Sequence, residues 1–515
     1  MLFKNVADQL DQLELIDHLQ RLGLGYHFEG EIKQTLEEIY NSDPAKNDLW
    51  EKNLHATALK FRLLRGHGYH TSSDVFKCFL ENGKFKKSLG EDVKGILSLY
   101  EASYYSIEGE SLMDEAYCFT SKILTECGKS SNVSDLGMQV THALELPLQW
   151  RIQRFEARQY MDIYERSSAM MPAILQFAQF DFNFVQALNQ EELKDVSRWW
   201  NKTGLGHKLD FIRDRLATSF LWCVGISCKP QHGYFRIQMA KVKQLITALD
   251  DVYDVYATLD ELELELFTSV IERWDINSMT ELPHYMKICF MTLYNLVNEI
   301  AYDMLMEQNI DVLPQLSKSW TDLLKTYLVE ARWFHSGYKP TFDEFMSNGL
   351  VSITGPIIAI QTYIFTSNPI RKEDMEFIEG LPDFLRLASE IFRLSDDFGT
   401  SSNELKRGDV PKSIQCYMMD AGVSEEVARG CMINLMKKKW AAVMKRRFAD
   451  DIPLDWSFVE ILLNLVRTAH CMYNSGDDGH GVEDGLTKNR ISSLFNEPIP
   501  LSRKLLSEKI KSRRF

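Results

Sequence analysis

Apolar residues recur at helical spacing along nearly the whole chain. The first stripe consists of Leu13, Ile16, Leu19, Leu22 and Leu24 and continues through Ile32, Leu36, Ile39 and Tyr40. A period of three to four residues is typical of amphipathic α-helices. Breaks follow at Asn82-Gly83, at Gly128 to Ser131 and at Ser167 to Pro172, whereas alternating strand patterns and glycine-rich phosphate loops are absent. The pattern therefore predicts an all-α protein.

The length of 515 residues predicts more than one domain. A new apolar helix pattern starts directly after the break at Ser167 to Pro172. We therefore expect a first helical domain over residues 1–168 and a second over residues 172–501. The basic, polar stretch 502–515 follows two prolines and is expected to be a tail, with a binding arm as the alternative.

Three aspartates stand inside an apolar and aromatic run, ALDDVYDVYATLDE, at residues 248–261. On a helix, Asp254 lies one turn after Asp250, and Asp251 borders the same face. A solvated acidic face would explain the aspartates alone, but the flanking residues leave little polar surface. These flanking residues are Val242, Leu245, Ile246, Leu249, Val252, Tyr253 and Tyr256. Buried carboxylates are rare unless they are paired or bind a cation, so the run predicts a magnesium–diphosphate site.

A second acidic pattern lies about 145 residues later, in RLSDDFGTSSNE. On a helix, Asp396, Thr400 and Glu404 form one ladder of oxygen atoms because they are four residues apart. The alternative is a loop over Gly399 to Asn403 with Glu404 in solvent. Two carboxylate sets on separate helices can hold opposite sides of one metal cluster, whose ions act as Lewis acids on a leaving diphosphate.

Basic and aromatic residues accompany both acidic patterns. The basic residues are Arg213, Arg215, Arg393 and Lys412. Each alone could form a surface ion pair, but their recurrence favours diphosphate binding, for which guanidinium groups are suited. The aromatic residues are Trp222, Tyr253, Tyr327, Trp333, Phe334 and Tyr473. Most are expected to pack in the core, whereas Trp222, which we place on one helix with the arginines, is a candidate for stabilising a carbocation.

Composition and charge argue against several classes of binding partner and site. A formal net charge of −15 and a pI near 5.4 argue against nucleic acid and against insertion into or binding to anionic membranes. The nine cysteines form no CxxC pair, which predicts reduced thiols without structural zinc. No apolar run of transmembrane length is expected. The first residues carry acids and resemble neither a signal nor a transit peptide.

The sequence resembles the plant class I terpene synthases, and their monoterpene branch most closely. The resemblance rests on LELIDHLQRLGLGYHFE, FRLLRGHGY, LPLQWRIQRFEAR, ELKDVSRWW, IRDRL, LDDVYDVYATLDELE and DDFGTSSNELKRGDVPKSIQCYM, and it spans residues 10 to 501. It implies an N-terminal α-barrel domain over residues 1–168 and a C-terminal helical, metal-binding catalytic domain over residues 172–501. The implied reaction is ionisation of geranyl diphosphate, rearrangement of the allylic cation, and deprotonation or water capture.

The resemblance also implies a set of site residues. Three Mg²⁺ ions, with Mn²⁺ as a substitute, would be held by Asp250, Asp251, Asp254, Asp396, Thr400 and Glu404. The diphosphate would be bound by Arg213, Asp250, Asp254, Arg393 and Lys412. The residues with catalytic roles would be Arg213, Trp222 and Tyr473. The protein is expected to be a monomer or weak homodimer in the plastid stroma, or in the cytosol if this chain is the full native product.

One departure from the family pattern affects the expected product. The tandem-arginine motif of the family, which lies upstream of the first matching segment and is linked to isomerisation of the substrate, is not found there. Mainly acyclic products are therefore expected: myrcene, ocimene or linalool. The alternatives are a cyclic product such as limonene, a sesquiterpene from farnesyl diphosphate, a chain-elongating prenyltransferase, and a catalytically silent scaffold protein.

Overall fold

The structure, a computed structural model, describes residues 3, 6, 8–42, 49–128, 135–254, 261–407, 410–449, 452–473 and 486–501. These residues are overwhelmingly helical, which confirms the predicted all-α class. The tail predicted for residues 502–515 lies outside the described residues.

The helices are numbered in chain order. The first eight are α1 (Gln9–Arg21), α2 (Glu29–Tyr40), α3 (Leu49–Lys52), α4 (Leu54–Gly66), α5 (Val93–Ser103), α6 (Ser111–Gly128), α7 (Asp135–Glu145) and α8 (Gln153–Arg166). The next eight are α9 (Pro172–Thr203), α10 (Leu205–Lys208), α11 (Leu216–Ile226), α12 (Gly233–Asp254), α13 (Glu261–Arg273), α14 (His284–Gln308), α15 (Leu313–Ser336) and α16 (Phe342–Ser352). The last described helices are α17 (Gly355–Thr366), α18 (Lys372–Glu379), α19 (Asp383–Arg407), α20 (Ser413–Ala421), α21 (Glu425–Arg446), α22 (Trp456–Tyr473) and α23 (Leu486–Ile491).

The predicted first stripe is buried along α1, α2 and the segment that joins them. Its leucines and isoleucines are at most 2% exposed, whereas Tyr40 at the end of the stripe is 43% exposed. Helix α1 starts where the Asp8 carboxylate accepts hydrogen bonds from the N–H groups of Leu10 and Asp11. Such a cap satisfies donors that the first helical turn leaves unpaired.

A small β-hairpin corrects the expectation that strands are absent. Strand β1 (Leu80–Glu81) pairs antiparallel with β2 (Lys84–Phe85). The turn between them consists of Asn82 and Gly83, whose φ angles are 51° and 77°. This left-handed conformation is the one that Asn-Gly favours in two-residue hairpins. The break at Asn82-Gly83 is therefore a strand turn.

The described residues divide into two compact units. The first comprises those of Met1–Gln186, Trp440–Asp451 and Ser493–Phe515, and the second those of Ala187–Lys439 and Ile452–Ser492. Helix α9 begins at Pro172, where the sequence predicts a new helix, but the division falls inside it. The domain boundaries predicted at residues 168 and 172 thus differ from this division by contacts and stay a prediction.

The second unit is a bundle in which α11 is surrounded by other helices. Helix α11 packs against α12 and α22, and α22 packs against α19. Nearly every residue of α11 is buried, which explains its almost unbroken apolar sequence, LATSFLWCVGI. Helix α17 packs against both α12, which carries the first acidic pattern, and α19, which carries the second.

One apolar segment corrects the expectation about transmembrane length. Phe342–Thr366, which contains α16 and α17, is long and apolar enough by length and composition to cross a membrane, with a mean hydropathy of 1.4. However, 78% of that window is buried inside the protein. A buried core helix passes the same test of length and composition, so the segment is weak support for a membrane span.

Gly399 permits a close approach of α19 to α22. A Cβ atom at this position would lie 2.8 Å from the carbonyl oxygen of Tyr473 and 2.9 Å from its Cβ atom. Both distances are shorter than van der Waals contact, and the carbonyl oxygen belongs to a helix that cannot shift alone. The glycine inside DDFGT therefore serves helix packing and does not mark a loop.

We expect Gly399→Ala to lower the free energy of unfolding by about 1–3 kcal/mol, as overpacking does in other cores. Gly430→Ala is the matched control, because Gly430 also lies inside a helix but has no atom within 4 Å of its added Cβ. The control should be stabilised by about 0.5–1 kcal/mol. Thermal unfolding followed by circular dichroism compares the two, and equal shifts would contradict the packing role.

Candidate active site

Helix α12 presents the first acidic pattern from a mostly buried surface. The apolar flank is buried at Val242, Leu245, Ile246, Leu249, Val252 and Tyr253. Asp251 is fully buried and the Asp250 side chain is 34% exposed. A solvated acidic face is thus excluded for Asp251. Tyr256 and the side chain of Asp254 lie outside the described residues.

Arg213 binds both described aspartates of the first pattern. Its Nη2 donates to Asp250 Oδ2 at 2.8 Å, and its Nε donates to Asp251 Oδ1. Its backbone N–H donates to Asp251 Oδ2 at 2.8 Å. The two side-chain hydrogen bonds fix the guanidinium plane against the two carboxylates, and the backbone bond fixes the chain beside them. The first pattern and the basic residue predicted to accompany it are therefore in direct contact.

The position of Arg213 in the chain corrects one expectation. Arg213 and Arg215 precede α11, which begins at Leu216, so they do not share a helix with Trp222. The buried Gln244 of α12 holds this segment, because its Nε2 donates to the carbonyl oxygen of Arg213 at 3.1 Å. Its Oε1 accepts from the backbone N–H of Arg215 at 3.2 Å. A buried amide thus positions the arginine from the helix that carries the aspartates.

Burial raises the pKa of Asp251 to about 6, although the charge and hydrogen bonds of Arg213 act in the opposite direction. The neighbouring Asp250 carboxylate raises this pKa further. Such crowding of negative charge favours a cation at the same place, because a cation stabilises the ionised form of both carboxylates.

Helix α19 contains all three residues of the second acidic pattern. Asp396, Thr400 and Glu404 lie within Asp383–Arg407, so the loop alternative is wrong. Thr400 Oγ1 donates to the backbone carbonyl oxygen of Asp396 at 3.0 Å. The side chain of Glu404 lies outside the described residues.

Arg393 on α19 pairs with both Asp396 and Asp397 through its Nη2. Asp397 is fully buried and also accepts a hydrogen bond from the backbone N–H of Ser413 at 3.0 Å. Burial raises the pKa of Asp396, while Arg393 opposes that rise. The second pattern thus repeats the arrangement of the first, in which an arginine binds two adjacent carboxylates.

Glu330 on α15 relates the two acidic patterns in space. Its pKa is raised by burial, and it interacts electrostatically with Lys412, Arg393 and Asp250. Asn348 Nδ2 donates to its Oε1 at 2.9 Å. Glu330 therefore interacts with Asp250 of the first pattern and with Arg393 and Lys412 beside the second. Both patterns thus face one region.

The donor set fits a magnesium site in kind, since it consists of hard carboxylate and hydroxyl oxygens. Among the side chains that the structure describes, no group of three or more His, Cys, Asp or Glu is close enough to hold a metal ion. The described carboxylates form two arginine-bound pairs instead. The third member of each predicted set, Asp254 or Glu404, has a side chain outside the described residues.

An aromatic cluster lies beside the second pattern. The buried Trp222 ring is 5.3 Å from the ring of Phe392 and 5.8 Å from that of Tyr473, centroid to centroid. Tyr473 also hydrogen-bonds the side chain of Asp396. Trp222 and Tyr473, which the sequence singled out, are thus together, whereas Phe334 is 45% exposed and lies on no such surface.

Sequence reasoning missed four polar residues around the site. They are Gln244, Glu330, Asp397 and Lys243. Asp397 could have been found because it lies one helical turn after Arg393. Glu330 could have been found because it interrupts the apolar face of α15, three residues after the buried Tyr327.

Comparison with known families decides the identity of the fold and site. The model "Terpene synthase family, metal binding domain" matches residues 201–442, and "Terpene synthase, N-terminal domain" matches residues 1–144. The chain belongs to the terpene synthase family. Both described arginine–carboxylate groups of this terpene synthase lie within the metal-binding match, whereas Tyr473 lies beyond it.

Named relatives of this terpene synthase cover nearly all of it. Myrcene synthase, chloroplastic, of Quercus ilex is 51% identical over 505 residues, which are 98% of this chain and 84% of the relative. (-)-alpha-Terpineol synthase of Vitis vinifera is 51% identical over 498 residues, which are 96% and 83%. This terpene synthase is therefore an enzyme of the plant monoterpene synthase group.

A solved structure agrees with the fold. Isoprene synthase from grey poplar, in complex with three Mg²⁺ ions and dimethylallyl-S-thiolodiphosphate, superposes with a TM-score of 0.91 at 42% identity. The match covers 96% of this terpene synthase and 94% of the poplar chain. The two-domain terpene synthase fold that the sequence predicts is thus confirmed.

Proposed function

We propose that this protein is a magnesium-dependent monoterpene synthase that ionises geranyl diphosphate. The observation that carries the proposal is the convergence of two arginine-bound carboxylate pairs beside the aromatic cluster of Trp222, Phe392 and Tyr473. The arginines and carboxylates suit a polyanion with cations, and the aromatic cluster suits the hydrocarbon chain of a substrate.

Bound Mg²⁺ would supply Lewis acidity that lowers the charge on the departing diphosphate. Asp250, Asp251 and Asp254 would hold it on one side, and Asp396, Thr400 and Glu404 on the other. Three Mg²⁺ ions, as in the poplar isoprene synthase complex, and substitution by Mn²⁺ are part of this proposal.

Arg213, Arg393 and Lys412 would bind the diphosphate and orient it. The guanidinium groups of Arg213 and Arg393 already lie at the carboxylates, and the buried Lys412 interacts electrostatically with Glu330. Ionisation breaks the C1–O bond, and both bonding electrons go to the diphosphate oxygen. The C10 cation then gives one proton to the released diphosphate, which yields a C10H16 hydrocarbon, or it captures water, which yields an alcohol.

Trp222 and Tyr473 would contact the hydrocarbon and exclude water from the cation. Their burial in an aromatic cluster supports this role, because water in the cavity would quench the cation early. Location in the plastid is proposed because several relatives, including that of Quercus ilex, are named chloroplastic. A cytosolic location and a monomeric or weakly dimeric state remain predictions from the sequence.

We further propose mainly acyclic products, as the sequence predicts. Two relatives of equal identity leave both outcomes open, since one is named for the acyclic myrcene and the other for the cyclic terpineol. Geranyl diphosphate has a trans 2,3 double bond, so ring closure requires return of the diphosphate and rotation first. Neryl diphosphate, whose 2,3 double bond is cis, should therefore increase the cyclic share of the products.

The test is incubation of the purified chain with geranyl, neryl or farnesyl diphosphate and Mg²⁺, followed by gas chromatography and mass spectrometry of the volatile products. We expect C10 products from geranyl diphosphate, mostly acyclic, and none when EDTA replaces Mg²⁺. Turnover of farnesyl diphosphate alone would make the protein a sesquiterpene synthase. Turnover of none of the three would support the silent scaffold alternative.

A further inference from the structure

Lys243 lies on the face of α12 that carries Asp250. The two residues are seven positions apart, which is two helical turns, so their side chains point in nearly the same direction. Two turns separate them by about 11 Å along the helix axis. Lys243 also interacts electrostatically with Asp396 on α19. It therefore faces the region that both acidic patterns share. It lies two turns closer than Asp250 to the N-terminal end of α12.

The amino group of Lys243 covers the indole ring of Trp222. The Nζ atom is 4.5 Å from the ring centroid, a distance at which a cation and an aromatic face attract each other. Trp222 is in turn packed against Phe392 and Tyr473. One face of the aromatic residue that is best placed to stabilise a carbocation is thus occupied by a charge of the protein.

This lysine has no anionic partner among the described residues. Its Nζ forms no ion pair with a described carboxylate, although Asp396 and Cys223 act on it at longer range. Burial lowers the pKa of Lys243 to about 8, so the group is mostly an ammonium ion at pH 7.

The neighbouring Lys241, in contrast to Lys243, has a carboxylate partner among the described residues. It lies on the same helix and also over an indole ring, that of Trp199, at 5.9 Å. However, its Nζ is 3.8 Å from the Glu299 carboxylate. Lys241 lies two positions before Lys243, which places it on another face of α12. It is therefore a matched lysine outside the site.

The position of the ammonium group affects where a carbocation can carry its charge. After ionisation, the allylic cation shares its charge between C1 and C3, next to the diphosphate. Closure of a six-membered ring transfers the charge to a tertiary carbon outside the ring, at the far end of the molecule. Lys243 lies two turns before Asp250 on the same face of α12, so we place that end beside Lys243 and the Trp222 ring when the diphosphate is at Asp250. There the ammonium ion repels it, and repulsion is strong where water is excluded.

We propose, on the basis of the proposed function, that Lys243 is a specificity-determining residue that disfavours ring closure. Its ammonium group occupies the face of Trp222 and keeps the positive charge of the substrate at the diphosphate end. The acyclic cation then loses its proton or captures water before a ring forms. Lys243 thus provides a reason for acyclic products that does not depend on any segment upstream of the chain.

The experiment compares the ratio of cyclic to acyclic products from neryl diphosphate, which closes a ring without prior rotation. Lys243→Met removes the charge and keeps the length of the side chain, Lys243→Arg keeps the charge, and Lys241→Met is the control. We expect Lys243→Met to raise the ratio at least about fivefold, which corresponds to about 1 kcal/mol between the competing barriers. The other two variants should stay within about twofold of the parent. If Lys243→Met does not fold, as judged by circular dichroism, Lys243→Gln takes its place.

A second readout separates a role on the hydrocarbon from binding of the diphosphate. Inhibition by inorganic diphosphate with Mg²⁺ should be equal for the parent and Lys243→Met. A tenfold weaker inhibition of the variant would place Lys243 at the diphosphate and overturn the inference. An unchanged product ratio, or an equal shift in Lys243→Arg, would overturn it too. A parent that forms no C10 product would instead refute the proposed function itself.

Discussion

Asp250→Ala should lower kcat by about three orders of magnitude or more while the fold stays intact. Asp250 is the more exposed member of a carboxylate pair, and we propose that it is a metal ligand, so its removal takes away a ligand oxygen. It also breaks the ion pair between Asp250 and Arg213. Without neutralisation on one side, the diphosphate remains a poor leaving group. Glu404→Ala should have a similar effect from the side of α19.

The control for this prediction is Glu281→Ala. Glu281 is also paired with an arginine, since both nitrogen atoms of the Arg273 fork donate to its carboxylate at 3.1 and 3.2 Å. That pair is exposed, so its loss should leave kcat within about twofold. Turnover is measured with labelled geranyl diphosphate at low Mg²⁺. Near-parental turnover of Asp250→Ala under these conditions would contradict the assignment of a metal ligand.

Arg213→Lys should lower kcat by about a hundredfold or more, although it keeps the charge. The arginine uses Nε and Nη2 on two different carboxylates, and one ammonium group cannot reproduce that fork. Misplacement of the positive charge by about 1 Å is costly at the moment when the C–O bond breaks. Single-turnover kinetics measure the ionisation step directly.

Arg273→Lys is the matched control, because it makes the same exchange in the exposed pair with Glu281. It should leave ionisation unchanged, since surface ion pairs contribute about 0–1 kcal/mol. If Arg213→Lys ionises the substrate as fast as the parent, Arg213 acts only as a structural partner of Asp250 and Asp251.

The helices and the acidic patterns could be predicted because their signal is local. The spacing of Leu13, Ile16 and Leu19 predicts the buried face of α1. The four-residue spacing of Asp396 and Thr400 places both on one face of α19. The apolar residues around Asp251 predicted its burial correctly. Each of these inferences depends on residues within a few helical turns of one another.

Other features depend on contacts between distant parts of the chain. Glu330 on α15 interacts with Asp250 and Lys412, which lie about 80 residues away on either side, so no local pattern shows its surroundings. The position of Arg213 before α11 follows from Gln244, which holds that segment from α12. The apolar segment Phe342–Thr366 is a core element only because other helices cover it.

The measurement that tests the central claim most directly is a crystal structure of the protein with Mn²⁺ and the non-ionising analogue geranyl S-thiolodiphosphate, with anomalous scattering to locate the metal. The account predicts anomalous peaks between α12 and α19, bound by Asp250, Asp251 or Asp254 on one side and by Asp396, Thr400 and Glu404 on the other. The guanidinium groups of Arg213 and Arg393 should contact the diphosphate. Diphosphate bound elsewhere, or an absence of metal between the two acidic patterns, would contradict the account.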